Sequence, residues 1–224
     1  MQFGREYTYK DLYNQEVDRE IFEEWALRES AGEEKRATRR RPGAERLLEA
    51  ASELFYREGI GAVGVDTVSE KAGVSKRTLY NRFGGKDALV AEYLRRRDER
   101  WRAHLRDATE GLDDATDKLL AVFESYGEWL VGDDFRGCAF ANAAAEIPDP
   151  DHPARIVARR HKEGVREYLA AAARDVGFDE PDALAERLLI LLEGATATAA
   201  MRRNAEPLDV ARSVALELMD TRSR

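Results

Sequence analysis

Apolar residues along this chain recur almost throughout at helical spacing, and strand patterning is nearly absent. Leu47, Leu48, Ala51, Leu54 and Phe55 build one face of a helix over 44–58, which Gly59 ends. Val65, Val68 and Ala72 fall at i, i+3, i+7 of a second, short helix. Gly73 stands where that helix needs a residue at positive φ, and Val74 plugs the turn. Ser75 can cap a third helix, with Leu79 and Phe83 as its apolar i, i+4 face. Leu89, Tyr93, Leu94, Trp101 and Leu105 line a long fourth helix, from Lys86 to about Asp107. The stretch 60–65 is too short and glycine-rich to count as a strand.

Beyond residue 110 the helices carry more apolar surface. Ala115, Leu119, Val122, Phe123, Tyr126, Trp129 and Leu130 mark a helix ending near Gly132. A small-residue helix over 136–147 is closed by Pro148. Asp149, Pro150, Asp151, His152 and Pro153 form a turn, with Asp151 or His152 as cap and Pro153 in the first helical position. The helix that follows carries Ile156, Val157, Val165, Tyr168, Leu169 and Ala172 and ends near Gly177. The last two helices cover 182–203 and 207–220. The fold class is therefore all-α: a three-helix unit containing a helix–turn–helix, then a larger helical domain, about nine helices in all. The first of the last pair is apolar over most of its circumference. Paired with its symmetry mates through Leu188, Leu192, Ala195, Ala199, Val214 and Leu218, this hairpin is expected to form a four-helix interface. The plainer alternative is an ordinary core hairpin.

Charge changes how the second and third helices are read. The 224 residues carry a net charge of −8, which argues against a nucleic-acid binder until it is divided. Residues 1–34 hold 4 basic and 10 acidic side chains, net −6; residues 35–106 hold 18 and 10, net +8; residues 107–224 hold 14 and 24, net −10. The positive charge surrounds the helix–turn–helix. We divide the chain into an acidic extension and basic linker (1–43), a helix–turn–helix unit (44–90), called the reader below, and a larger helical domain (91–224), to which the family resemblance given below assigns ligand binding and dimerisation. Val17, Ile21 and Trp25 fit a short helix in the extension, read first as a tail with nascent structure and alternatively as a segment that docks on the protein. Arg39, Arg40 and Arg41 form an arm before the reader, either solvated or reaching into a minor groove. Arg95, Arg96 and Arg97 read as solvated and paired with Asp98 and Glu99.

The N-terminal end of a recognition helix reaches base edges. Lys76, Arg77, Thr78 and Asn81 are therefore the candidate base contacts, with Arg77 suited to a bidentate bond to guanine. Thr67, Tyr80, Arg82 and Lys86 are candidate phosphate contacts. The run AGVSKRTLYNRFGGKDAL, from Ala72 to Leu89, resembles the DNA-binding domain of the TetR family of transcriptional regulators. Ala50, Leu54, Phe55 and Gly59 fit that family's first helix. The match departs at Gly64, where the family usually has Thr or Ser, so the usual hydroxyl cap is missing. The stretch GCAFANAAAE with the turn after it is similar to one type of C-terminal domain in the same family. The resemblance implies phosphate roles for Tyr80 and Lys86, a homodimer, and a pocket for a small-molecule effector. The expected function is a ligand-responsive repressor that binds a palindromic double-stranded operator.

Other chemistry is thin. Cys138, the single cysteine, excludes an internal disulfide and fits a reducing cytoplasm. Cys138, His161 and Glu163 can be drawn as a nucleophile site, yet no nucleophile elbow, phosphate loop or dinucleotide fingerprint surrounds them. Asp149, Asp151, His152 and His161 lack helix-face metal spacing, and we expect no metal and no cofactor. Phe123, Tyr126, Trp129, Phe140, Asn142 and Tyr168 are the candidate ligand pocket, although such residues also fill any helical core. No signal peptide or span of about 18 apolar residues is apparent. A helical enzyme using Cys138, or an interaction protein that does not bind DNA, are the alternative functions.

Overall fold

A computed structural model describes residues 42–129 and 135–220. Among these it contains nine helices and no strand: α1 (Pro42–Glu58), α2 (Val65–Ala72), α3 (Lys76–Phe83), α4 (Lys86–Thr109), α5 (Ala115–Trp129), α6 (Ala139–Glu146), α7 (Pro153–Val176), α8 (Pro181–Arg202) and α9 (Glu206–Asp220). The expected short helix with Val17, Ile21 and Trp25, the arm of Arg39, Arg40 and Arg41, and Leu130 lie outside the described residues.

Local sequence sets the helix ends. Gly73 closes α2 at φ 60°, and its N–H bonds back to the Glu70 carbonyl. Ser75 Oγ then accepts the Thr78 N–H at 3.3 Å, a bond that N–H shares with the Ser75 carbonyl at the start of α3. Gly64 occupies the cap of α2 and supplies no side-chain bond. His152 caps α7, its Nδ1 accepting the Ala154 N–H at 3.1 Å, with Pro153 following. Helices of eight residues are marginal alone, so α2 and α3 depend on packing. Val68 and Leu79, both fully buried, anchor them. Burying a side chain of this size contributes ~1.5–3 kcal/mol.

Two apolar clusters form the interior. The first joins α1, α2 and α3 to the start of α4 through Leu89, Val90, Ala91, Tyr93 and Leu94. It also takes in Ala139, Phe140 and Ala143 of α6, and Ala154, Val157 and Ala158 of α7. The second contains Trp101 and Leu105 of α4 together with α5, α7, α8 and α9. Helices α4 and α7 thus run through both clusters, and α6 packs with the reader even though it lies far along the chain.

One expectation is corrected by the burial of α8. Leu188, Leu192 and Ala199 are fully buried and Ala195 nearly so, so they fill the protomer's own core. The outward face of α8 instead carries Ile190 (64% exposed), Gly194, Ala197 and Met201 (78% exposed). Val210 of α9 is also exposed, and Val214 and Leu218 are half-buried. A helix that is apolar nearly all round does not reveal by composition which side faces inward.

Candidate nucleic-acid interface

With Leu79 as its buried anchor, α3 turns Lys76, Arg77, Tyr80, Asn81 and Arg82 to solvent. Tyr80 is 51% exposed, a large apolar ring left outside the core. Thr78 is half-buried, its hydroxyl 2.9 Å from that of Ser75. Its side chain also abuts Gly43 of α1. Thr78 is therefore part of the cap, with less freedom to reach a base than its exposed neighbours. Thr67 is exposed on α2, and Lys86 is half-buried in the first turn of α4. The structure thus places five of the eight candidate contacts on the exposed surface of one short helix.

Three polar links around this helix pair lay outside the sequence reasoning. The Lys76 ammonium pairs with Asp66 in the first turn of α2. Both side chains are exposed, so the pair is weak and open to competition from phosphate. Lys71 reaches Glu53 of α1 at 2.7 Å, and this bond holds the Glu53 carboxyl below its usual pKa. Glu146, at the end of α6, accepts the Gly61 N–H at 2.8 Å and so grips the turn between α1 and α2. A second grip lies at the end of α1. Tyr56 Oη donates to the Gly137 carbonyl at 3.0 Å and accepts the Arg136 N–H at 3.1 Å. The Arg136 guanidinium donates to the Arg57 carbonyl. Sequence spacing gives no signal for contacts about eighty residues apart.

The reading of Arg95, Arg96 and Arg97 as partners of Asp98 is overturned. Asp98 is nearly buried and accepts from Arg102 at 2.8 Å and from His161 Nδ1 at 2.6 Å. Arg95 bonds Glu92, Arg96 pairs with Glu45, and Arg97 lies over the Tyr56 ring at 4.4 Å. Arg95 takes a partner one turn back on its own helix, while Arg96 and Arg97 turn to residues of α1. Burial pushes His161 down to about 4, with Lys162 and Arg102 acting in the same direction and the Asp98 bond opposing. At neutral pH the imidazole is neutral and donates from Nδ1. Its ring stacks on Phe140 at 3.6 Å between centroids.

The candidate pocket residues do not converge on one cavity. Phe123, Tyr126, Trp129 and Tyr168 belong to the second cluster, whereas Phe140 belongs to the first. Trp101 stacks edge-on against Tyr126 and Trp129, at 4.3 and 5.9 Å. Asn142 donates to the Arg136 carbonyl, and Tyr168 to that of Lys118. Beside Tyr126 lies Lys162, bonded to Glu193. Burial alone would lower the Lys162 pKa, but Tyr126, Cys138 and Glu193 outweigh it and hold the ammonium charged. His152 and His161 serve separate partners, and among the described residues no three His, Cys, Asp or Glu side chains gather at metal-binding distance.

Residues 47–93 match the model for bacterial regulatory proteins of the tetR family. Residues 115–214 match that for the C-terminal domain of LmrA/YxaF-like transcriptional regulators. The chain belongs to the TetR family. It is a helix–turn–helix transcriptional regulator, not an enzyme. A TetR-family regulator from Streptomyces coelicolor has a similar structure: TM-score 0.73 and 32% identity, covering 79% of this chain and 95% of that one. The regulator YjdC of Escherichia coli is 25% identical over 78% of this chain and 92% of its own. The repressor DhaR of a Mycobacterium species is also 25% identical, over 80% and 93%. Among the described residues no helix is long and apolar enough to cross a membrane.

Proposed function

We propose that this regulator is a ligand-responsive repressor that reads a two-fold operator as a homodimer. The observation that carries the proposal is α3: a capped helix, anchored by Leu79, that offers Lys76, Arg77, Asn81 and Arg82 along one exposed side. A helix with a basic and amide-bearing free side fits the major groove, with Arg77 placed for guanine and Asn81 for adenine. Thr67, Tyr80 and Lys86 flank it on the phosphate side, and Thr78 supports it through the cap. The outward stripe of Ile190, Ala197 and Met201, with Val210, supports pairing of two copies. Repression is favoured by the likeness to DhaR, a repressor. The aromatic group around Trp101, Tyr126 and Trp129, beside the charged Lys162, is the region we assign to an apolar effector with an anionic or acceptor group. Such an effector lowers DNA affinity when it binds the two conformations unequally.

A gel shift against the promoter region of the protein's own gene tests this reading. A retarded band that resists competitor DNA supports it. Binding that competitor DNA removes completely would overturn it.

A further inference from the structure

A cleft of about 560 Å³ opens between α1 and α4, well away from the exposed side of α3. Arg96, Arg97 and Arg100 of α4 form one wall, and Arg57 stands at the end of the other. The opposing carboxylates are Glu49 and Glu53, so the lining carries more positive charge than negative. Glu53 is committed to Lys71 and Arg57, and Arg96 to Glu45. Arg97 rests on Tyr56, and no carboxylate of the described residues lies within 4.0 Å of the guanidinium of Arg97 or Arg100. Arg100 is exposed overall, and partial burial of its guanidinium, then Arg96 and Arg97, pull its pKa down. Two donors in the walls, Arg96 Nη1 and Ser52 Oγ, are shielded from water and have no hydrogen-bond partner.

We propose that this cleft binds a small polyanion bearing phosphate or carboxylate groups. Guanidinium forks match both groups in two-point geometry, and an anion would relieve the repulsion among the three arginines. Tyr56 supplies a flat wall that already supports one guanidinium. The location gives such a ligand leverage. Tyr56 and Arg57 are the same residues that Arg136 and Gly137 grip, so an occupant touches the joint between α1 and the segment leading to α6. None of the lining residues lies on α3, while Arg97, 5.8 Å from the Trp129 ring, also borders the aromatic group around Trp101.

Isothermal calorimetry on the full chain, with inorganic pyrophosphate and then citrate as probes, tests the proposal at 150 mM salt. Saturable binding of at least one probe is expected. Arg97→Gln and Arg100→Gln are each expected to weaken it at least tenfold, with the far-ultraviolet spectrum and melting transition retained. Heat that follows ionic strength alone, no saturable heat, or affinity in both variants unchanged from that of the unsubstituted protein would overturn it. A second arm separates free anions from DNA phosphates, using the salt dependence of binding to random duplex DNA. Unchanged slopes in both variants support a small-anion site. Slopes reduced by about one charge each would make the cleft a DNA-backbone contact and overturn the proposal. Neither result bears on base reading by Arg77, so this proposal and the operator proposal fail separately.

Discussion

Arg77 is the residue on which sequence-specific reading most depends. It is exposed, near the start of α3, and has no ion-pair partner among the described residues. Arg77→Ala is expected to cost ~1–3 kcal/mol of binding and to relax preference at one base pair, measured by anisotropy on a panel of single-base variants. Lys86→Ala is expected to weaken all sequences alike and to reduce the salt slope by about 1. His161 acts on stability. Its folded pKa lies below the unfolded value, so the unfolded chain takes up the proton first as pH falls. Stability is therefore full above about pH 6.5 and declines towards pH 4, by no more than about 3 kcal/mol from this group. Denaturant melts across that range check it: His161→Gln should flatten the slope, and an unchanged slope would assign the loss to other groups. Asp98, pulled low by His161 and Arg102 against the effect of burial, adds its own loss at still lower pH.

Among the elements, α3 is the one whose sequence speaks most clearly. Gly73, Ser75 and Leu79 each have one local job, closing α2, capping α3 and anchoring it, so nearest-neighbour chemistry suffices to place them. Ser75→Ala should lower stability by ~1 kcal/mol in chemical denaturation and loosen Thr78. The missing cap at Gly64 was equally visible, because it depends on one residue type. Legibility fails where a partner is distant or a face is ambiguous. The bonds from Glu146 to Gly61 and from Asp98 to His161 join residues 85 and 63 positions apart, and no periodicity encodes them. On α8 the apolar pattern is nearly continuous, so Leu188 and Leu192 could not be told apart from Ile190 without the packing of α7 and α9. Composition picked out the aromatic residues but could not say that Phe140 packs apart from Phe123 and Tyr126 and stacks on His161.

For the whole molecule, two long helices tie the reader to the rest. Helices α4 and α7 each contribute to both apolar clusters, so a change in the second cluster has a covalent and packed route to the first. Glu146 and Tyr56 add polar grips at the end of α1 and the turn that follows it. If two copies pair through the outward stripe of α8, Ile190→Asp should shift the sedimentation coefficient to that of a monomer while leaving the helical spectrum intact. The same variant should lose most operator affinity, because each half-site is then bound singly. The central claim is that two copies of α3, held at fixed separation, read a two-fold DNA sequence. Selection of bound sites from a random-sequence duplex library tests it most directly. The account predicts enrichment of an inverted repeat whose half-site preference changes at one position in Arg77→Ala. Enrichment of no sequence, or of a lone half-site unaffected by Arg77→Ala, would contradict it.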